Sequence, residues 1–227
     1  MFWIDYWYLI FVVPPLILAL WASANVKSTY NKYSKVTSLS GMTGRDSAIR
    51  ILQQNGIKDV GIECIQGELT DHFDPKTNVI RLSADVYNGT SVAALGVAAH
   101  EAGHAVQYAQ NYAPMKIRGS ILPAANIGSS VGVYIAILGI IFSFKPIAFA
   151  GIILFGFVVL FQLITLPVEF NASSRAITSL EQSLPADEAD KVKKVLRAAA
   201  LTYVAALLSS IGNLLRLIAL ANRRSGD

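Results

Sequence analysis

Two histidines and one glutamate at helical spacing are the residues of this chain best suited to chemistry. They form the sequence H-E-A-G-H at residues 100–104. Residues four apart lie on the same face of a helix, so His100 and His104 can bind one metal ion together. Glu101 is placed to take a proton from a water molecule at that metal. The H-E-x-x-H pattern is typical of zinc peptidases and predicts a Zn²⁺ site with Glu101 as general base.

The surrounding sequence indicates that this motif lies on a helix within Thr90–Tyr112. Thr90 and Ser91 are good helix-capping residues, an Ala- and Val-rich run follows, and Pro114 comes just after the end. The alternative is a chance match, in which the histidines are ordinary packing or surface residues. The chain has three histidines, and two of them belong to the motif. This concentration favours a metal site.

The composition indicates a membrane protein. Of the 227 residues, 53% are hydrophobic and 15% are charged, which is too apolar for an ordinary soluble domain. A membrane-spanning helix needs about 20 mainly apolar residues. The chain has four uncharged runs of this kind: Tyr6–Ala24, Gly119–Phe144, Pro146–Val168 and Ala198–Leu215. The first three are long enough, and the fourth only just. It could span, lie in the interface or cover the catalytic domain; we expect it to span.

Charge predicts the orientation of the first run. Asp5 is the only charge before it, and Lys27, Lys32 and Lys35 follow it. Positive charge on that side predicts an N-terminus outside the cell and a cytoplasmic continuation. The segment therefore reads as an anchor rather than a cleaved signal peptide. The net charge of +4 is explained by such juxtamembrane residues, and no motif for nucleic-acid binding is present.

The polar stretch after the anchor predicts a small domain. It contains an amphipathic helix at Thr43–Asn55, a strand at Val60–Ile65, and a hairpin of Asp71–Phe73 with Val79–Leu82. Peptidases commonly bind an extended substrate along a sheet edge. Candidates for that edge are Ile80, Arg81 and Leu82 in the second hairpin strand. The alternative is that this strand is an ordinary paired strand with no role in substrate binding.

A catalytic zinc ion normally has three protein ligands. Glu169 is the first acid after His104, and it ends the second of two uncharged runs that read as a membrane hairpin. Such a hairpin would bring Glu169 back beside the motif. The alternative is an interface carboxylate paired with Arg175. The remaining histidine, His72, is left out because its spacing does not connect it to the helix.

Four segments resemble the YugP-like neutral zinc metallopeptidases of bacteria, and the resemblance covers nearly the whole chain. They are D-H-F-D-P at 71–75, L-S at 82–83, A-A-H-E-A-G-H-A at 98–105 and L-P-V-E-F-N-A-S at 166–173. This family is more distantly similar to the HtpX and prenyl-protein endopeptidases, which carry the pattern E-x-x-A-D. At the corresponding residues 169–173, this chain has Ser173 in place of the Asp. An Asp there can orient a metal-bound histidine. The resemblance implies a gluzincin-like site with His100, His104 and Glu169 on zinc.

The sequence therefore predicts an α-rich integral membrane protein with a small α+β zincin-like catalytic domain and three or four transmembrane helices. Five segments are expected: an anchor at 1–25, a cytoplasmic zinc-peptidase domain at 26–118, a transmembrane hairpin at 119–168, a third-ligand segment with a charged helix at 169–197, and a hydrophobic helix with a basic tail at 198–227. The expected location is the bacterial cell membrane, with several spans and the catalytic domain facing the cytoplasm.

The expected function is hydrolysis of peptide bonds in membrane or membrane-proximal proteins. Zinc should stabilise the developing oxyanion together with a second group. The first candidates for that group are Tyr203 and Arg175, and Asn171 and His72 are alternatives. Expected partners are a protein or peptide substrate and the lipid bilayer, with a second copy of the chain or another membrane protein left open. One rival function is a catalytically silent zinc-binding scaffold or adaptor in a membrane quality-control complex, against which the intact H-E-x-x-H motif argues. The other is a transporter or channel in which the motif is incidental. Transport proteins usually carry ionisable groups within their spans, and the hairpin runs contain no charged residue.

Overall fold

The structure of the protein is a computed structural model that describes residues 5–67 and 70–223. The ends of the predicted first and last segments, 1–4 and 224–227, lie outside the described residues. The helices are α1 Val13–Tyr33, preceded by a π-helical turn at Tyr8–Val12, α2 Gly44–Gln54, α3 Ala84–Tyr87, α4 Val92–Ala109, α5 Ala113–Ile127, α6 Val133–Ile141, α7 Lys145–Glu181 and α8 Ala186–Arg223. A second π-helical segment, Gly128–Gly132, joins α5 to α6. The strands are β1 Gly61–Ile65, β2 His72–Asp74 and β3 Val79–Ser83.

The described residues form two compact units. The helical unit comprises residues 5–23, 116–166 and 201–223, and the sheet unit comprises residues 24–115 and 167–200. Helix α7 contributes its first part to the helical unit and the part from Pro167 onward to the sheet unit. The limits of the five predicted segments stay predictions.

Four helices are long and apolar enough to cross a membrane: Tyr8–Tyr33, Ala113–Ile141, Lys145–Glu181 and Ala186–Arg223. Within the helical unit, small residues let the backbones approach closely. A Cβ atom added at Gly128 would lie 2.1 Å from the Leu154 carbonyl oxygen, and one at Gly139 would lie 2.2 Å from the Ala148 nitrogen. A short turn joins α6 to α7, because α6 ends at Ile141 and α7 begins at Lys145. The predicted helix-rich fold with helices long and apolar enough to span a membrane is thus confirmed.

The sheet unit contains the predicted helix, strand and hairpin. Thr43 caps α2 with a reciprocal capping box, in which its side chain accepts from the Asp46 N–H and the Asp46 carboxylate accepts from the Thr43 N–H. Strands β2 and β3 pair antiparallel as the hairpin predicts, and β1 pairs parallel with β3. The strand order is β1-β3-β2. Helices α2 and α4 pack against this unit's core with β3, whose Ile80 and Leu82 side chains are fully buried.

The prediction that Ile80, Arg81 and Leu82 form a free sheet edge is wrong. These residues lie in β3, which is the central strand and is paired on both sides. The Arg81 guanidinium joins Glu63 on β1 to Asp74 on β2 with N···O distances of 3.2 and 2.9 Å. The hairpin pattern is visible in the sequence, but the parallel pairing of the earlier strand β1 is not. The outer strands are β1 and β2.

Gly103 allows α4 to lie directly against α7. A Cβ atom added at Gly103 would be 2.6 Å from the carbonyl oxygen of Ala172, which is backbone and cannot move aside as a side chain can. The helix α4 itself begins with Ser91, whose side chain accepts a hydrogen bond from the Ala94 N–H. The glycine inside the H-E-A-G-H sequence is therefore explained by close packing between the two helices.

We predict that Gly103→Ala separates α4 from α7. Overpacking of this kind typically costs about 1–3 kcal/mol, so the melting temperature should fall and zinc affinity should fall with it. Gly119→Ala is the matched control, because a Cβ atom there meets nothing within 4 Å. Thermal unfolding in detergent and zinc titration measure both effects. Equal behaviour of the two variants would contradict the close contact.

Candidate metal centre

His100, His104 and Glu169 bring three ligand atoms together. Nε2 of His100 lies 3.2 Å from Oε2 of Glu169 and 3.2 Å from Nε2 of His104, and the His104–Glu169 distance is 3.4 Å. In a tetrahedral zinc site with bonds of about 2.0–2.1 Å, the ligand atoms are about 3.3 Å apart. The three atoms thus have the spacing of three corners of a zinc tetrahedron. No other group of three such side chains within the described ranges is close enough to hold a metal ion.

The surroundings of this cluster favour positive charge. His104 and Glu169 are buried, with 8% and 3% exposure, and Glu101 beside them is 9% exposed. Burial alone disfavours the charged imidazole of His104, but the hydrogen bond to Glu169 and the negative charges of Glu101 and Glu169 outweigh burial and raise the pKa of His104. A site that favours an imidazolium in this way also favours a metal cation. The donor set therefore fits Zn²⁺ chemically as well as geometrically.

Gln107 fixes the tautomer of His104. The Gln107 side chain is fully buried, and its amide nitrogen donates to the Val168 carbonyl oxygen at 2.8 Å and to Asn171 Oδ1 at 3.0 Å. Its oxygen Oε1 is then the atom that faces His104 Nδ1, at 3.0 Å. Nδ1 must carry the proton and donate it to this acceptor, which leaves the lone pair of Nε2 for a metal ion.

Ser173 contacts the other histidine through a hydroxyl, which can donate or accept a hydrogen bond and so does not by itself fix the tautomer. Its hydroxyl oxygen lies 3.1 Å from His100 Nδ1, and Nε2 of that ring faces Glu169. Ser173 is the residue at which this chain departs from the E-x-x-A-D pattern. The structure places its hydroxyl where an acid would orient a metal-bound histidine. Both histidines are thus oriented by neutral partners.

The other predicted site residues lie around the cluster or apart from it. Arg175 donates to Asn171 Oδ1 at 2.7 Å and to Gln110 Oε1 at 2.7 Å. It therefore supports Asn171, which in turn accepts a hydrogen bond from Gln107. His72 lies on β2 with an exposed side chain, and its Nδ1 is 2.7 Å from the Thr70 carbonyl oxygen. Tyr203 belongs to the helical unit. The predicted catalytic roles of Arg175 and Tyr203 stay predictions.

Comparison with known proteins agrees with this geometry. Residues 8–222 match the model of a family described as "Putative neutral zinc metallopeptidase". The chain belongs to this family. It is also 47% identical over 213 residues to a Bacillus subtilis (strain 168) protein named "Putative membrane protease YugP", and the match covers 93% of this chain and 95% of that protein. No solved structure shows a significant match.

Family membership identifies Zn²⁺ as the cofactor, and the cluster of His100, His104 and Glu169 is a possible site for it. The family and the Bacillus relative together indicate a protease. Four long apolar helices indicate a membrane protein, and the Bacillus relative is named a membrane protease. The resemblance found in the sequence motifs is thereby confirmed.

Sequence reasoning missed two residues of this centre, Gln107 and the orienting hydroxyl of Ser173. A signal existed for Gln107, because it follows His104 by three positions and residues three apart are neighbours on a helix. An amide at that position can bond the outer nitrogen of the ring. The departure at Ser173 was visible in the sequence, but its contact with His100 depends on the packing of α7 against α4.

We predict that Gln107→Leu lowers zinc affinity by about 10- to 100-fold, as loss of such orienting partners usually does. Without the amide oxygen, the His104 ring is no longer held in the tautomer that presents Nε2. Competition with a zinc chelator measures the change. Gln110→Leu is the matched control, since Gln110 contacts Arg175 and Asn55 but not a histidine. Unchanged affinity in Gln107→Leu would exclude the orienting role.

Proposed function

We propose that the protein is a multi-pass membrane zinc endopeptidase in which His100, His104 and Glu169 bind the metal and Glu101 is the general base. The observation that carries this proposal is the spacing of 3.2–3.4 Å among the three ligand atoms. Membership of a zinc metallopeptidase family supports it. The sheet, the helix with the two histidines and the later glutamate are also the parts that a zincin-like domain of the gluzincin type requires.

The chemistry follows from the placement of Glu101. When bound, zinc would lower the pKa of a coordinated water molecule and polarise the carbonyl of the scissile bond. Glu101 precedes Gly103 on α4 and shares the buried site with both histidines. Its carboxylate accepts the proton of the attacking water and then passes this proton to the leaving amine. Burial of the site keeps bulk water away while this proton moves.

The proposed substrates are membrane proteins or their juxtamembrane segments. Glu169 comes directly after the uncharged run Pro146–Val168, and both belong to the continuous helix α7. A metal ligand at the end of an apolar helix supports a site close to the bilayer surface. Lys27, Lys32 and Lys35 follow the first span and support a cytoplasmic domain in the bacterial cell membrane.

The decisive variant is Glu101→Gln. It removes the base but keeps the size of the side chain, so we expect zinc to remain bound and kcat to fall by about 10²–10⁴-fold. The assay uses the full chain in liposomes with an unfolded membrane-protein substrate, at equal zinc occupancy. Glu181→Gln is the control, because that carboxylate is paired with Lys193 and belongs to no part of the site. Cleavage by Glu101→Gln at the wild-type rate would contradict the proposal.

The same liposome assay tests the substrate class. One unfolded polypeptide is presented either with a transmembrane anchor in the same bilayer or without it. We expect kcat/KM to be higher for the anchored form, since the site is proposed to lie at the bilayer surface. Equal kcat/KM for the two forms would remove the preference for membrane substrates and leave the peptidase assignment intact.

A further inference from the structure

The short strand β2 is fixed at both ends by carboxylates. At one end, Asp71 Oδ1 accepts hydrogen bonds from the Ser83 N–H at 2.8 Å and from the Ser83 hydroxyl at 3.1 Å. At the other end, Asp74 Oδ2 accepts from Arg81 Nη1 at 2.9 Å. These acids belong to the D-H-F-D-P sequence at 71–75. Neither belongs to the metal-ligand cluster, so their role must be sought in the strand that they hold.

The contacts of Asp74 show how firmly this end of the strand is held. The Lys76 backbone N–H, the Thr77 hydroxyl and the Arg81 guanidinium all donate to its carboxylate, and together they lower its pKa to about 2. The carboxylate is therefore ionised throughout the physiological range of pH. Each of its three donors lies on β3 or on the turn that leads to it.

The middle residue of the strand is aimed at the general base. Successive N–H groups of an outer strand point alternately toward and away from the paired strand. Phe73 pairs opposite Ile80, and its N–H donates to Oε2 of Glu101 at 3.0 Å. The N–H groups of His72 and Asp74 then point toward β3. The Phe73 ring packs on Tyr108 of α4, with 5.8 Å between ring centroids.

We propose that the backbone N–H of Phe73 is a positioning group for the general base. It holds Oε2 of Glu101 and so directs the other carboxylate oxygen, Oε1, to the proton that is to be removed. A hydrogen bond to a charged acceptor is strong and directional, and a base held in one orientation needs no rearrangement when the proton moves. The two acids of the D-H-F-D-P sequence act through this strand. This inference rests on the proposed function of Glu101.

An alternative use of the same N–H gives a different result. The outward N–H of an outer strand is also where an extended substrate can pair with a sheet. In that case the bond to Glu101 would be replaced when substrate binds, and losing the N–H would raise KM. A positioning group instead changes kcat and leaves KM as it is.

The first test does not depend on cleavage. Residue-resolved hydrogen exchange of the zinc-loaded full chain is compared among wild type, Glu101→Gln and Glu101→Ala. We expect the Phe73 amide to exchange at least about tenfold faster in Glu101→Ala, because its acceptor is lost. It should stay protected in Glu101→Gln, which keeps an acceptor oxygen. The amides of His72 and Asp74 serve as internal controls. Equal exchange of the Phe73 amide in all three proteins would overturn the proposal.

The second test separates the N–H from the ring. Phe73→Pro removes both, whereas Phe73→Ala removes the ring alone, and proline is tolerated in an outer strand where the N–H points away from the sheet. At equal zinc occupancy, we expect kcat of Phe73→Pro to be about 10- to 100-fold below that of Phe73→Ala, with equal KM. A difference confined to KM, or equal kcat, would overturn the proposal.

The two tests also distinguish this inference from the proposed function. If the wild type does not cleave, the peptidase assignment fails at the Glu101→Gln comparison, and hydrogen exchange still decides whether the Phe73 N–H holds Glu101. If the wild type cleaves and the exchange rates are equal, the positioning role fails and the peptidase assignment stands.

Discussion

The contact between α4 and α7 is the interaction on which the site depends. Helix α4 carries both histidines and Glu101, and the last part of α7 carries Glu169. Their backbones meet at Gly103 and Ala172, where a single added Cβ would lie 2.6 Å from a carbonyl oxygen. Because protein interiors are closely packed, a small shift here moves the ligand atoms apart. The smallest residue in the motif is thus the one that sets the distance between the candidate ligand atoms on the two helices.

Buried hydrogen bonds stabilise this contact in the orientation that the metal requires. Gln107 reaches from α4 to the Val168 carbonyl oxygen and to Asn171 on α7, while its own oxygen faces His104. In the other direction, the hydroxyl of Ser173 on α7 contacts His100 on α4. A buried carboxylate such as Glu169 is costly unless positive charge or donors compensate it. A bound cation would supply that compensation, so metal binding and the packing of the two helices support each other.

The sequence predicts the parts of this site that depend on local spacing. His100, Glu101 and His104 follow from the geometry of one helix, and Glu169 follows from the length of the apolar hairpin that precedes it. The uncharged runs likewise predict the four long apolar helices. What the sequence does not contain is the pairing of elements far apart in the chain. The sequence does not reveal that β1 pairs in parallel with β3. This is why Ile80, Arg81 and Leu82 were wrongly expected at a free edge.

Backbone groups were the second class of missed features. Phe73 contributes to the site through its N–H, and no side-chain pattern marks a backbone donor. Gly103 is similar, since its importance comes from an atom that it lacks. Both residues lie within recognisable motifs, but the reason for each residue type depends on a contact with a neighbouring element that the sequence does not show.

The most direct test of the central claim is X-ray absorption spectroscopy at the zinc edge on the purified full chain. One zinc ion per chain is expected, with two imidazole nitrogens and the remaining ligands oxygen, all at about 2.0–2.2 Å. Glu169→Ala should lose stoichiometric zinc under the same conditions. A sulfur ligand at about 2.3 Å, which would indicate Cys64, would contradict a metal site built from α4 and α7. Fewer than two imidazoles, or full zinc occupancy in Glu169→Ala, would contradict it as well.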